Sequence, residues 1–379
     1  MRFAFTEEQE ELRAMARAFL VDHSGPEQVR TAMGSELGHD AEVWKRIGTE
    51  LGWPAVIIPE AYGGLGLTWV EVVALLEICG ESLLCSPFFS SVALGANVLQ
   101  LAGTETQLAA LLPGIAEGQT RATLAHAEAA GRWDAAGIDT TCRRDGTDWI
   151  LSGAKRHVLD GHCADLLVVS AREPGSDGTD GISLFAISAD TPGLERRQLS
   201  TMDRTRRLAA VDLDDVRVPA DALLGEPGSA WPALEKALDR AAIALAAEQV
   251  GGAQRCLDAA VAYAKERVQF GRPIGSFQGI KHQCADMMVR VETARSAVYY
   301  AACLAADQSP DLSRAASMAK AWCSDAFFAC ASDSLQIHGG VGFTWEYDVH
   351  LYFKRAKSTE AFLGDPAYHR ERVAQRIGL

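Results

Sequence analysis

Residues 267–278 read RVQFGRPIGSFQ and separate two long helical patterns. The first pattern ends in an arginine, the chain breaks at Gly-Arg-Pro-Ile-Gly, and an apolar helix resumes at once. Glycine and proline are enough to end a helix. A solvated connection has no need of an arginine at its mouth or of Phe277 and Gln278 at its exit. Before the break, residues 233–268 keep Leu234, Leu238, Ala242, Leu245, Val250, Ala253, Leu257, Val261 and Ala264 on one stripe, a run on the order of 50 Å at 1.5 Å per residue. After it, residues 279–307 and 311–337 give two more long helices. The last, SMAKAWCSDAFFACASDSLQI, is apolar on nearly every face, which predicts a helix covered on all sides inside a bundle or an oligomer interface. Long helices, short connections and many alanines predict an antiparallel four-helix bundle over 227–379.

Upstream the period changes twice. Residues 1–120 are helical, with Thr6-Glu-Glu-Gln9 and Thr68-Trp-Val-Glu71 as capping boxes. Between them LGWPAVIIPEAYGGLGLT cannot continue a helix. From 121 to 226 the chain shows short β-type segments, with a hairpin turn at Arg144-Asp145-Gly146-Thr147. The fold class is therefore α+β multidomain: an N-terminal helical domain (1–120), a middle β domain (121–226) and the bundle (227–379).

The 379 residues exceed the usual limit of one core, roughly 250–300. A formal charge of −14 without any run of five or six Lys/Arg argues against nucleic acid as a partner. Nine cysteines without C-x-x-C spacing read as buried thiols of a reducing compartment. The acidic N-terminus does not resemble a signal peptide, and no apolar run reaches membrane-spanning length. The expectation is a cytoplasmic protein with no membrane insertion. No strand-GxGxxG-helix, P-loop or H-E-x-x-H pattern occurs, and the histidines never fall at ligand spacing, so no metal is expected.

Arg267 alone is accounted for by a helix C-terminus, where a cation complements the macrodipole and satisfies carbonyls. A second feature opens another reading. Gln336-Ile-His-Gly339-Gly340-Val-Gly342 closes the third helix with more glycines than a cap requires, and paired glycines let a ligand approach the backbone. An arginine fork beside such a helix end can hold a dinucleotide pyrophosphate without a Rossmann unit.

Five segments in order, PEAYGGLGL, GAKRHVLDGHCADLLVVSA, VRVPADALLGEPGSAW, ERVQFGRPIGSFQ and QIHGGVGFTWEYDVHLYFKRAK, give the whole chain a resemblance to the acyl-CoA dehydrogenases. The resemblance implies an FAD enzyme, a dimer or dimer of dimers. It removes an α-proton and a β-hydride from an acyl-CoA and passes electrons to an electron-transfer flavoprotein or similar acceptor. It also implies that Arg267 reaches the FAD pyrophosphate of a neighbouring subunit, that Gln269, Phe270, Phe277 and Gln278 line the adenosine side, and that Gln336, Ile337, Gly339 and Gly340 pack on the ADP portion.

The chain departs from the family in two places. The family's Thr-Glu-Pro and Trp-Ile-Thr segments, which hydrogen-bond the flavin ring, read here His126-Ala127-Glu128-Ala129 and His157-Val158-Leu159. Glu128 and Val158 remain cofactor-side candidates, but Ala127 and Leu159 offer only backbone N–H groups. The family's two positions for the catalytic carboxylate align with Leu363 and Ala241, neither of which can take a proton. Glu248, seven residues beyond Ala241 on the same helix, and Asp365, two beyond Leu363, are the substitutes to weigh. Three readings follow: a subunit of a heteromeric (α2β2) dehydrogenase of the kind that degrades steroid side chains, whose partner brings the base; a self-sufficient enzyme with an unusual base; or oxygen chemistry that needs none. A non-catalytic scaffold subunit is the remaining alternative. The first is preferred, because the chain keeps what it would lend a neighbour and lacks what it would need itself. Arg204, Arg206 and Arg207 read as a solvated or salt-bridged strand end, with CoA phosphates the alternative. Trp345, Tyr347 and Tyr352 read as packing residues.

Overall fold

The structure is a computed structural model that describes residues 5–379. Its helices before the sheet are α1 (Glu7–His23), α2 (Pro26–Gly34), α3 (Ala41–Thr49), α4 (Trp69–Glu81), a π-helix (Phe89–Ala96), α5 (Asn97–Ala102) and α6 (Glu105–Ala116). The strands are β1 (Ala122–Ala125), β2 (Thr141–Asp145), β3 (Asp148–Leu159), β4 (Leu166–Arg172), β5 (Ile182–Ser188), β6 (Leu194–Gln198), β7 (Leu208–Val218) and β8 (Leu223–Leu224). The long helix α7 (Trp231–Glu266), a two-strand hairpin of β9 (Val268–Gln269) and β10 (Arg272–Pro273), and α8 (Gln278–Ala306), α9 (Leu312–His338), α10 (Val349–Ala361) and α11 (Pro366–Arg376) complete the chain. Two compact units result. One takes the chain to Thr31, Trp69–Leu84 and Ala242–Leu379; the other takes Ala32–Thr68 and Cys85–Ala241.

In the second unit the sheet runs β6-β7-β3-β2-β4-β5-β8, with β1 parallel to β4. The expected hairpin is present: Asp145 pairs with Asp148 across Gly146 (φ +65) and Thr147. Leu167, Val169, Phe185 and Val211 are fully buried between the sheet's elements. Along β3 and β7 the register slips between Lys155 and Val158, and His157 takes a left-handed φ of +57 in that bulge. A bulge of this kind re-aims one side chain, and here it turns His157 outward while Lys155 and Val158 stay buried. Arg206 and Arg207 are buried as well, contrary to the solvated strand end expected. Arg206 lies over the Phe89 ring, and Arg207 donates to the carbonyls of Met33 (2.6 Å) and Ser35 (3.2 Å) at the end of α2.

In the first unit Thr6 and Gln9 form the predicted capping box of α1. The three long helices fall within two residues of their expected bounds. Helix α9 lies at the centre, against α8, α10 and α11, and Gln249 of α7 meets Ser324 of α9 at 3.0 Å. The expectation that α9 is covered on every side does not hold within this chain. Met318 and Trp322, one turn apart, are 48% and 43% exposed.

Helices α4 and α7 meet backbone to backbone, and two glycines make this possible. A Cβ at Gly80 would lie 2.0 Å from the Glu248 carbonyl oxygen, and one at Gly251 would lie 1.8 Å from that of Glu77. So close a contact excludes water, and a carboxylate on either helix then needs a cation beside it. Glu77, 2% exposed, is held at 3.0 Å by both Arg13 of α1 and Arg295 of α8. Gly251→Ala is expected to lower stability by at least about 1–3 kcal/mol, because the atom in the way is backbone and cannot rotate aside. A denaturant midpoint unchanged from the parent protein would contradict this packing.

Candidate functional site

The hairpin that follows α7 projects from the first unit. Gln269 pairs with Arg272 and Val268 with Pro273, leaving Phe270 (φ +53) and Gly271 (φ +77) as a two-residue turn. A phenylalanine in the left-handed region is rare, because its Cβ crowds the backbone. Its ring is also 91% exposed. The ring meets Phe277 edge-on at 6.1 Å, and Arg272 covers Phe277 at 4.2 Å. The Arg267 backbone is fixed, its N–H on Tyr263 O (2.9 Å) and its carbonyl accepting from Ile274 (2.8 Å). Its guanidinium, by contrast, finds no acceptor among the described residues, so it satisfies no carbonyl at the end of α7. Gln269 is exposed, and exposed Gln278 makes only a contact with His282, 3.4 Å away.

The glycine-lined end of α9 lies beside this hairpin's root. Gly339 adopts φ +65, ψ −144, a region essentially closed to residues with a Cβ. A Cβ built at Gly339 or Gly340 would meet nothing within 4 Å. The space in front of this backbone is therefore open, as a cofactor cradle requires. Gln336 is exposed, while Ile337 is buried and offers only its main chain. His338 joins the two pieces: it stacks on Tyr263 of α7 at 4.3 Å, and its Nδ1 is 2.7 Å from Ser334 O. Tyr347 closes edge-on against both rings. Tyr347 and Trp345 lie in the segment before α10, not on it. Tyr352 is on α10, and its hydroxyl donates to Glu81 O at 2.6 Å.

The loop expected to meet a flavin ring is built from inside. Glu128 is buried, takes the Lys155 ammonium at 2.7 Å and accepts N–H bonds from Asp139 (3.0 Å) and Thr140 (2.9 Å). Burial opposes its ionisation, but Lys155 and the Thr140 bond outweigh that and hold its carboxyl below the usual range. Its side chain thus shapes the loop, committed to Lys155 and two main-chain N–H groups. Val158 is buried and paired with Ala209. Ala127 and Glu128 are 2% and 6% exposed, yet their N–H groups find no acceptor among the described residues. Buried N–H groups rarely stay unpaired, so these two donors are the feature of the loop that fits an external acceptor such as a flavin ring.

Neither base position can accept a proton, and neither substitute is free. Ala241 is fully buried in α7, and Leu363 is 3% exposed with a strained φ of +62. The loop around Leu363 is clamped by Lys320, which donates to Gly364 O (2.9 Å), Glu360 O (3.1 Å) and Ser324 Oγ (2.9 Å). His369 adds a 2.9 Å contact to Leu363 O. Burial pushes the Lys320 ammonium down to about 7. Glu248 forms a buried ion pair with Arg355, the two side chains 4% and 2% exposed. Asp365 caps α11, accepting from Tyr368 N at 2.7 Å. The sequence reading did not single out Lys155, Lys320, Arg355 or His369. A lysine inside the otherwise apolar α9 pattern was the one available signal.

Three family descriptions cover the chain: acyl-CoA dehydrogenase N-terminal domain over residues 6–119, middle domain over 123–216 and C-terminal domain over 228–378. This chain belongs to the acyl-CoA dehydrogenase family. It is 34% identical to the acyl-CoA dehydrogenase IpdE2 of Mycolicibacterium smegmatis, covering 98% of this chain and 99% of the relative. Among solved structures it resembles a variant of the Tcur3481-Tcur3483 steroid ACAD (TM-score 0.88, 34% identity, 98% of each chain). It also resembles the ChsE4-ChsE5 complex of Mycobacterium tuberculosis (TM-score 0.89, 26% identity, 100% of this chain and 99% of that one). Members of the family are FAD flavoproteins, and among the described residues no helix is long and apolar enough to cross a membrane.

Replacing Glu248 alone by Leu should cost about 3–5 kcal/mol by stranding Arg355, whereas replacing Glu248 and Arg355 together by Leu should recover most of that loss. Equal midpoints for the single and double variants in urea would refute the pairing. Burial holds His39 down to about 4, and His126 and His369 to about 3. Between those values and the ordinary 6.5 the unfolded chain binds protons that the folded one does not, so stability falls as pH drops from 6.5. The slope is up to about 1.4 kcal/mol per pH unit for each histidine. Melting temperatures measured from pH 7 to pH 5 check the sign.

Proposed function

We propose that this chain is the subunit without a catalytic carboxylate in a heteromeric, FAD-dependent acyl-CoA dehydrogenase acting on a bulky, steroid-type acyl-CoA. The reading rests on one observation. Both base positions are apolar and buried, and the two substitute carboxylates are committed, Glu248 to Arg355 and Asp365 to a helix cap. Abstraction of an α-proton needs a carboxylate within reach of the carbon, so a second chain of the same fold supplies it. Relatives solved as the paired Tcur3481-Tcur3483 and ChsE4-ChsE5 proteins support such an arrangement.

Bound FAD would accept the hydride from the β-carbon. This chain's part is to hold the cofactor: Arg267 grips the pyrophosphate with its uncommitted fork. The exposed Phe270 and the Gln269, Phe277 and Gln278 side chains bracket the adenosine. Gln336 and the main chain of Ile337, Gly339 and Gly340 lie along the ADP. An electron-transfer flavoprotein or similar carrier would reoxidise the complex. The open stripe at Met318 and Trp322 fits a bundle partner in such an assembly.

A second reading, a self-sufficient flavoprotein, has in its favour the N–H groups of Ala127 and Glu128, which would let this chain hold a flavin ring itself. One experiment separates the two readings. The chain is purified alone and co-expressed with a similar chain that carries Glu at the place of Leu363 or Ala241. Bound flavin and deuterium exchange at the acyl α-carbon are then measured. Exchange only in the complex, with flavin lost from it by Arg267→Ala, is expected. Stoichiometric FAD and full dehydrogenase turnover in the chain alone would overturn the proposal.

A further inference from the structure

Lys155 of β3 is fully buried in the second unit, and its ammonium uses all three of its donors. They reach Glu128 Oε1 at 2.7 Å, the His126 carbonyl at 3.1 Å and Ser170 Oγ at 3.2 Å. Burial pulls this ammonium down to about 8 against the attraction of Glu128 and Asp139, so it is charged at neutral pH. Ser170 in turn meets His126 Nδ1 at 3.1 Å. The His126 ring is itself buried and neutral, with Trp133 at 5.7 Å and Trp231 at 6.4 Å. Water therefore does not compete for the bond between Lys155 and the His126 carbonyl.

A carbonyl held in this way fixes more than itself. The His126–Ala127 peptide is trans, and a planar trans unit carries its N–H on the edge opposite its carbonyl. With Lys155 on one edge, the Ala127 N–H is turned the other way, and it is one of the two buried donors without an acceptor among the described residues. The next peptide is fixed similarly. The Arg156 N–H donates to the Ala127 carbonyl at 2.8 Å, which sets the direction of the Glu128 N–H. Lys155 and Arg156 are neighbours where the register of β3 slips against β7, so one short segment of strand aims both donors. A cation on the carbonyl also polarises the amide and makes its N–H the stronger donor.

We propose that Lys155 is a positioning residue for the flavin: acting through the His126–Ala127 peptide, it aims the Ala127 N–H at a ring oxygen of the cofactor and strengthens that bond. The inference rests on the reading that FAD is bound with its ring against this loop. The protein is purified in the form that carries FAD, alone or with its second chain, then stripped and titrated with FAD, with fluorescence quenching giving the affinity. Urea midpoints and the midpoint potential of the bound flavin are measured beside it, for the parent, Lys155→Met and the double variant Lys155→Met/Glu128→Gln. The single variant is expected to lose stability, because Glu128 is stranded, and the double variant to recover most of it. The recovered double variant should still bind FAD about tenfold more weakly than the parent. Its flavin potential should be more negative, because a weaker donor stabilises less of the charge gained on reduction. The inference is overturned if the double variant keeps the parent's affinity or its potential, and loss of FAD from Arg267→Ala in the same series would then show that the flavin reading survives. A parent protein that takes up no FAD in either form overturns both.

Discussion

The contact on which the first unit depends is the crossing of α4 and α7, where Gly80 and Gly251 let each helix press on a carbonyl of the other. A bundle this tight keeps water out, and the cost of a buried charge then governs every acidic side chain near the crossing. Glu77 has two arginines and Glu248 has one. Carboxylates that look available in the sequence are therefore structural. A buried pair of this kind adds little net stability, but removing one partner is expensive, and that asymmetry ties Glu248 to Arg355.

Chemistry and packing are thus divided between different parts of the chain. Around Leu363 the main chain is fixed by Lys320 and His369 while the side chain itself is inert. The hairpin after α7 is the reverse. Arg267 and Phe270 have well-defined backbones, the Arg267 guanidinium finds no acceptor among the described residues, and the Phe270 ring meets only the edge of Phe277 there. Phe270 is 91% exposed at a turn with a left-handed φ of +53, and backbone strain of this kind clusters at ligand clamps. The Tyr263–His338 stack gives this region its geometry by joining the roots of the hairpin and of the glycine segment.

Much of the architecture was legible beforehand. The 3.6-residue apolar stripe located α7, α8 and α9 because burial of one helical face imposes that period. The hairpin at Gly146 was legible because two-residue turns have few chemistries. The candidate site was legible where it is made of a contiguous stretch, as in RVQFGRPIGSFQ and QIHGG. It was not legible where it depends on which group meets which: Glu128 reads as a cofactor-side candidate but is paired with Lys155, and Asp365 reads as a substitute base but accepts from Tyr368 N.

The sequence by itself determined the period of each segment, the family and the absence of an acid at Leu363 and Ala241, because residue identity and spacing are local properties. Only the tertiary structure decided which charges are spent and which are free. Pairing is set by distances between residues far apart in the chain, such as the 107 positions from Glu248 to Arg355, and no local pattern encodes them.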